Sequence, residues 1–337
     1  MMATARSTSA DVARRAGVSR ATVSYVLNRR GDQSIPEPTR QRVLDAAHDL
    51  GYVPHAASRA LRAGRSRLVL LVNADVPWST NITDAEDALT AAVAATGRSL
   101  VVWRRHGPHD LAATLANLEP CVVITLQPLD AEEETLLAGL HIPLVTADLG
   151  RPGAASAARL QLEHLAAHGH HRVGYVTTSE PSLQQFAAPR TAGLLAAAAA
   201  LGLPAPLVVA LPGASAPVVA DLATVLSGWT SQPDPVTAVA CFNDLHAAAC
   251  LAAASSRGVT VPADLAVIGL DDDDFAPFTN PALTTIRLQP QALAHHLWAL
   301  AAHLLGEGME PATFNPSARV VERASVHQQS DSTERKP

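Results

Sequence analysis

The sequence predicts a small all-α head of helix-turn-helix type followed by an α/β body of two doubly wound parallel-sheet lobes. Three observations lead there. Residues 1–67 carry twelve Arg against five Asp and Glu, a net +7, whereas the remainder carries thirteen basic against twenty-six acidic residues, a net −13. Within the head, apolar residues recur at helical spacing on either side of Gly17. From Leu68 onward, short unbroken apolar runs alternate with amphipathic stretches, the pattern of parallel strands covered by helices on both faces.

The charge split predicts a head that meets a polyanion and a body that stays off it. Lys336 is the only lysine, so the head's positive charge is all arginine, the residue suited to bidentate phosphate and guanine contacts. A solvated charged face would explain a charge bias, but not its confinement to one end. With 337 residues the chain is long enough for two or three domains of roughly 100–200 residues each. No apolar run approaches the roughly 18 residues that a membrane span needs. Residues 1–9 lack the apolar stretch of a secretory signal, so the expected location is cytoplasmic.

In the head, Thr8 followed three residues later by Asp11 has the form of a capping box, and Val12, Ala13 and Ala16 follow at helical spacing. A first helix is expected over 8–15. Gly17 supplies the tight turn, Val18 a core plug, and Ser19 the cap of a second helix with Val23, Val26 and Leu27 as its buried stripe. The opposite face presents Arg20, Ala21, Ser24 and Tyr25, with Asn28 at the end, a set able to reach bases and phosphates. A third helix over 38–50 closes the unit through Val43, Leu44 and Ala47.

The string DVARRAGVSRATVSYVLN, followed by TRQRVLDAAHDLGYVPHAASRALRAGRS, resembles the head and hinge of the lactose/galactose repressor family of bacterial transcription regulators. The likeness includes the third helix and the Gly51-Tyr52-Val53-Pro54 exit. The resemblance implies that Arg20, Ala21 and Tyr25 read bases, with Arg20 the foremost guanine reader, and that Ser19, Thr22, Ser24 and Asn28 contact phosphate. It implies that 54–63 is a hinge that becomes helical on operator DNA, where His55, Ser58, Arg59, Leu61 and Arg62 meet the minor groove and Leu61 is the apolar wedge. Leu61 read alone is an ordinary linker leucine; the surrounding arginines favour the wedge. Two departures stand out. His55 replaces the usual asparagine, which puts a hinge contact in doubt, and Pro36 replaces a helix-capping serine, which concerns only a cap.

In the body, strands are expected over 68–72, 100–103, 121–126 and 143–147, alternating with helices over 82–95, 109–118 and 131–140. A second set begins with a helix over 154–168. It continues with strands 172–176, 207–210, 238–241 and 265–270, and with helices 189–201, 216–226 and 247–257. The segments HLAAHGHHRVGYV, TAVACFNDLHAAA, LAVIGLDDDD and NPALTTIR resemble the family's effector-binding body, which is periplasmic-binding-protein-like. A helix over 290–305 and a strand over 319–324 would make the crossovers between lobes. The implied domains are an arm without fixed structure over 1–7, the DNA-binding head over 8–52, the hinge over 53–66, the effector and dimerisation body over 67–326, and a tail without fixed structure over 327–337.

Ligands of such folds sit at the carboxyl ends of strands, here between the lobes. Asp75, Asp148, Asn243, Asp244 and Asp271 follow strands there, and Arg190 opens a helix three residues before Gly193. By resemblance, Arg190, Asn243, Asp271 and Asp148 fall on effector-contacting positions; carboxylate, amide and guanidinium together suit a polyhydroxylated ligand. An aspartate after a strand is as often a helix cap as a ligand group, and only the set is persuasive. Trp78 is either a stacking platform for a sugar or base face or a loop tryptophan packed on the surface. Leu211, Pro212 and Gly213 stand where relatives often place another aromatic, which disfavours a ligand sandwiched between two rings.

Other constellations are discounted. Cys121, Cys241 and Cys250 read as buried thiols, neither bridge nor metal site. His168, His170 and His171 end a helix, where positive charge favours the dipole, and lack metal spacing. The four aspartates 271–274 lack the Gly and distal Glu of a calcium loop. No phosphate-cradling loop and no nucleophile elbow is present, so no catalysis, metal or cofactor is expected. The leading reading is a repressor that binds palindromic double-stranded operator DNA as a homodimer and answers to a small polar effector, a sugar or related metabolite. The tail has no apolar heptads, so no tetramerising coiled coil is expected. The alternatives are a ligand-independent DNA-binding regulator with a vestigial cleft, and an enzyme or solute-binding protein, which the basic head disfavours.

Overall fold

The computed structural model describes residues 7–27, 35–52, 66–74, 79–105, 111–147, 152–213, 216–314 and 316–327. The chain divides into two compact units, residues 1–67 and 68–337. Of the expected arm over 1–7, hinge over 53–66 and tail over 327–337, residues 1–6, 53–65 and 328–337 lie outside the described residues, as do Asn28, His55, Ser58, Arg59, Leu61, Arg62, Asp75, Trp78 and Asp148, whereas Ser7 and His327, expected without fixed structure, are bonded to Leu50 and His170.

The head contains α1 (Ser9–Ala16), α2 (Arg20–Leu27) and α3 (Glu37–Asp49). Thr8 and Asp11 form the reciprocal capping box, and Gly17 ends α1 at φ 65°, with its N–H on the Ala13 carbonyl. That left-handed conformation suits glycine. Val12, Val23 and Val43 are each at most 1% exposed and form the centre of the head's core. Leu44 does not join them. It is 41% exposed, and Ala46 takes the inward position, because the buried stripe of α3 runs through residues 43, 46 and 47 at the i, i+3, i+4 spacing of one helix face. Pro36 caps α3 with no side-chain bond, while its carbonyl accepts from the N–H groups of Thr39 and Arg40. Between elements, Ser7 Oγ donates to the Leu50 carbonyl at 2.8 Å and Arg15 pairs with Asp49 at 2.7 Å.

In the first lobe, β1 (Leu68–Ala74), β2 (Ser99–Arg105), β3 (Val122–Thr125) and β4 (Leu144–Thr146) form a parallel sheet of order β2-β1-β3-β4. The alternation along β1 sends Val69 and Leu71 to one face and Leu70 and Val72 to the other. The first face is covered by α4 (Thr80–Ala95), the second by α5 (Leu111–Leu118) and α6 (Ala131–Gly139).

The second lobe repeats the plan. Its strands β5 (Val173–Thr178), β6 (Leu207–Leu211), β7 (Ala238–Cys241) and β8 (Ala266–Ile268) are ordered β6-β5-β7-β8. One face is covered by α7 (Pro152–Ala167) and α8 (Gln184–Ala200), the other by α9 (Ala216–Thr230) and α10 (Asp244–Ser256). After β9 (Thr285–Arg287), α11 (Pro290–Leu304) packs against α4 and the first lobe's sheet, and β10 (Arg319–Val321) then pairs antiparallel with β9. The chain therefore passes between lobes three times, before α7, before α11 and before β10. No helix of the described residues is long and apolar enough to cross a membrane.

Four sequence expectations shift. The helix expected from 189 starts at Gln184, so Pro189 lies inside it. The helix expected from 247 starts at Asp244 under an Asn243 cap. Cys241 and Cys250 are buried, whereas Cys121 is half-buried beside Arg98. His170 is buried too, and desolvation lowers its pKa to about 4, so it is neutral and does not serve the helix dipole. Its ring bonds Thr237 Oγ1 at 3.1 Å and the His327 carbonyl at 3.3 Å, tying the entry to β5 to the segment that follows β10.

Candidate functional site

In the head, Ser19 places the start of α2. Its Oγ accepts the Thr22 N–H at 3.1 Å and shares a bond with Thr22 Oγ1 at 2.9 Å. Both hydroxyls therefore first serve the cap, which leaves the start of α2 rigid. Val23 and Val26 turn into the core, so Arg20 and Ala21 face outward and Ser24 and Tyr25 lie half-buried at the edge of the same face. Arg20 thus stands exposed in the first turn of a helix that follows the Gly17 turn.

In the body, a cleft of about 170 Å³ opens where strand ends of the two lobes converge. Of the sequence-selected effector residues, the described ones, Arg190, Asn243 and Asp271, all line it. Arg190 rises from the second turn of α8 rather than opening the helix. It is 7% exposed and donates through Nη1 to the Phe242 carbonyl at 2.5 Å and through Nη2 to Asp271 Oδ1 at 3.2 Å. Its guanidinium lies over the Phe242 ring, 4.7 Å from the centroid. Burial pushes the Asp271 carboxyl up to about 6 even though Arg190 opposes the shift. Taking both charges out of water costs desolvation energy, which the pair's mutual attraction and the Phe242 carbonyl offset.

The four aspartates do separate tasks. Asp271 faces Arg190; Asp272 accepts from Arg323 at 2.6 Å and Arg287 at 2.8 Å. Asp273 Oδ1 accepts the Thr80 N–H at 2.8 Å, and the Asp274 N–H donates to Thr80 Oγ1 at 3.2 Å. Asn81 Nδ2 donates to the Asp271 carbonyl at 3.1 Å. This loop thus grips the first turn of α4 in the other lobe while holding Asp271 and Asp272 at φ 120° and 56°, conformations that cost a non-glycine residue energy and cluster at functional sites. Beneath it, Asp244 is fully buried, accepting from Thr285 Oγ1 at 2.5 Å and the Asp273 N–H at 2.7 Å. Desolvation raises its carboxyl to about 7.

Sequence reasoning missed Asn73, Asn81, Phe186 and Gln289, all on the cleft wall. Asn73 carried a signal as the polar interruption of an apolar strand; its Nδ2 donates to Glu86 Oε1 at 2.9 Å. Phe186 was hidden by the misplaced start of α8. Leu211 is buried in the second lobe's core, so that segment offers the cleft no ring, while Phe186, Phe242 and Phe314 do. Among the described residues no group of His, Cys, Asp and Glu is arranged to hold a metal.

Residues 8–55 match the model described as bacterial regulatory proteins, lacI family, and residues 162–326 match the periplasmic binding protein-like domain. The chain is 28% identical over 334 residues to the HTH-type transcriptional repressor PurR of Photobacterium profundum, covering 94% of this chain and 97% of the relative. It is also 28% identical over 333 residues to PurR of Escherichia coli, with 94% and 96% covered. Among solved structures it resembles the lac repressor dimer bound to operator and the anti-inducer ONPF, with TM-score 0.77 and 24% identity over 95% of this chain and 99% of that one. The transcriptional regulator CelR in complex with cellobiose matches with TM-score 0.65 and 23% identity over 95% and 100%.

Proposed function

We propose that the chain, whose residues 8–55 match the model of the lacI family of bacterial regulatory proteins, represses transcription by holding a palindromic double-stranded operator under control of a small polar ligand in the cleft. It is a DNA-binding regulator with an effector-binding body, not an enzyme. Two copies joined through their bodies present two recognition helices to the two half-sites. The place of action is the cytoplasm, where the chromosome is. Arg20, Ala21 and Tyr25 read bases; Ser19, Thr22, Ser24 and Asn28 steady the phosphates. His55, Ser58, Arg59, Leu61 and Arg62 serve the hinge.

The observation that carries the ligand-controlled reading is the buried Arg190–Asp271 pair on the cleft wall. Asn243 beside it, with Asp75, Trp78 and Asp148, completes the proposed effector set. A thermal-shift screen against monosaccharides and nucleosides tests it. A compound that binds only the folded state at a hundred times its Kd adds about 2.7 kcal/mol of stability. Absence of any shift across the screen favours the ligand-independent regulator instead.

A further inference from the structure

Asn243 caps α10, and its Oδ1 accepts the backbone N–H of His246 at 3.0 Å. Because a backbone N–H only donates, this bond fixes which end of the amide is oxygen. The His246 ring nitrogen Nδ1 lies 2.6 Å from the same Oδ1. An amide oxygen only accepts, so Nδ1 carries the proton, and in the neutral ring Nε2 is a bare lone pair. Nε2 is buried and has no partner. The ring itself is 2% exposed and meets Phe242 edge-on at 5.5 Å between centroids. Burial first, and the charge of Arg190 second, depress its pKa to about 4, so it stays neutral at physiological pH.

An ordinary asparagine cap would use one lone pair of Oδ1 and leave the other to a ligand. Here the imidazole fills the second. What Asn243 has left on the cleft wall is its amino group, a donor, and neighbouring Arg190 also offers only donors.

We infer that His246 is a specificity-determining positioning residue: by occupying Asn243 Oδ1 it leaves Asn243 a donor alone toward the cleft, so that the ligand group set against Asn243 is a hydroxyl, carbonyl or unprotonated ring nitrogen rather than an amino or ammonium group, while the Asp271 carboxylate stays the acceptor of this wall. The inference rests on the cleft being the effector site. A donor set against a donor leaves both unpaired, which is the strong form of discrimination available to a polar site.

Two experiments separate the positioning from the cleft reading. In the full chain labelled with 15N-histidine, the His246 signals, assigned by their loss in His246→Gln, show the neutral tautomer with the proton on Nδ1 at pH 7. A proton on Nε2, or an imidazolium, overturns the positioning. The second experiment compares wild type with His246→Leu by thermal shift against matched pairs: D-glucose and D-glucosamine, D-galactose and D-galactosamine, inosine and adenosine. Wild type favours the oxygen-bearing member of any pair it binds by about tenfold or more, and His246→Leu narrows that preference to within about threefold. Equal discrimination by both proteins overturns the inference. If wild type binds no member, the effector reading of the cleft fails for these classes and the tautomer alone decides the role of His246.

Discussion

Asp273 of the second lobe holds the first turn of α4 in the first lobe: its Oδ1 accepts the Thr80 N–H at 2.8 Å, and Asp274 returns a bond from its own N–H to Thr80 Oγ1. A carboxylate at a helix N-terminus satisfies an orphan donor and favours the dipole. Because the two groups sit on different lobes, the bond opposes any separation of the lobes. Asp273→Ala is expected to lower stability by about 1–2 kcal/mol, read from urea unfolding, and Thr80→Ala by less because its backbone N–H remains. Additive losses in the double variant contradict a shared latch, since coupled groups give a smaller combined loss.

Asp244 gives the body a pH signature. Its folded pKa of about 7 lies above the value near 3.8 expected when unfolded, so between those values the folded state binds more protons and stability falls as pH rises. A fully protonated Asp244 can donate to Thr285 and still accept from the Asp273 N–H; asparagine reproduces that arrangement. From pH 6 to pH 8, Asp244→Asn should gain about 1 kcal/mol on wild type. His170 and His246, both lowered to about 4, are present in both proteins and cancel in the difference. A pH-independent difference in urea unfolding rules out the raised carboxyl.

Gly193 lets α8 lie against α7. A Cβ there would meet the Ala155 carbonyl oxygen at 2.5 Å and its Cα at 2.6 Å, backbone atoms that cannot step aside cheaply. Gly193→Ala is expected to destabilise by roughly 1–3 kcal/mol despite alanine's better helix propensity. Gly139→Ala, at a helical site with nothing within 4 Å, should stabilise by roughly 0.5–1 kcal/mol. Thermal unfolding of the two variants checks the contrast; a neutral Gly193→Ala shows that the helices can part.

Local chemistry was readable before the structure, and long-range chemistry was not. The Thr8–Asp11 box and the Gly17 turn involve residues within one turn of each other, so their pattern is visible in the string itself. The alternation of apolar strands with helices announced both sheets for the same reason. Leu44 misled because a leucine beside a valine reads as core, and only the facing helices decide which one turns inward. Asp272 was opaque: its partners Arg287 and Arg323 lie 15 and 51 residues away, a separation that leaves no local mark. Asp273 and Thr80, 193 residues apart, are hidden in the same way. Pro189 concealed the true start of α8, and with it Phe186, because a proline is better known as a helix's first residue than as one inside it.

Arg20 is exposed on the recognition helix with its neighbours Val23 and Val26 buried. Arg20→Ala is expected to cost roughly 1–3 kcal/mol on the preferred operator and to relax sequence choice at one position per half-site. Binding to unrelated DNA should change far less. Electrophoretic titration on the preferred and scrambled duplexes at one salt concentration distinguishes this from a phosphate contact, for which both affinities fall together.

The most direct measurement is a fluorescence-anisotropy titration of a duplex selected from random DNA, with and without a compound that stabilises the protein in the thermal-shift screen. Wild type, Arg190→Ala and Asp271→Ala are compared at one salt concentration. The compound should change wild-type operator affinity by about tenfold or more, equivalent to about 1.4 kcal/mol of coupling. Both variants should bind the duplex within a few fold of wild type and lose the response, because neither residue lies in the basic head. If the variants keep the full response, the ligand that governs DNA binding does not act through the Arg190–Asp271 cleft.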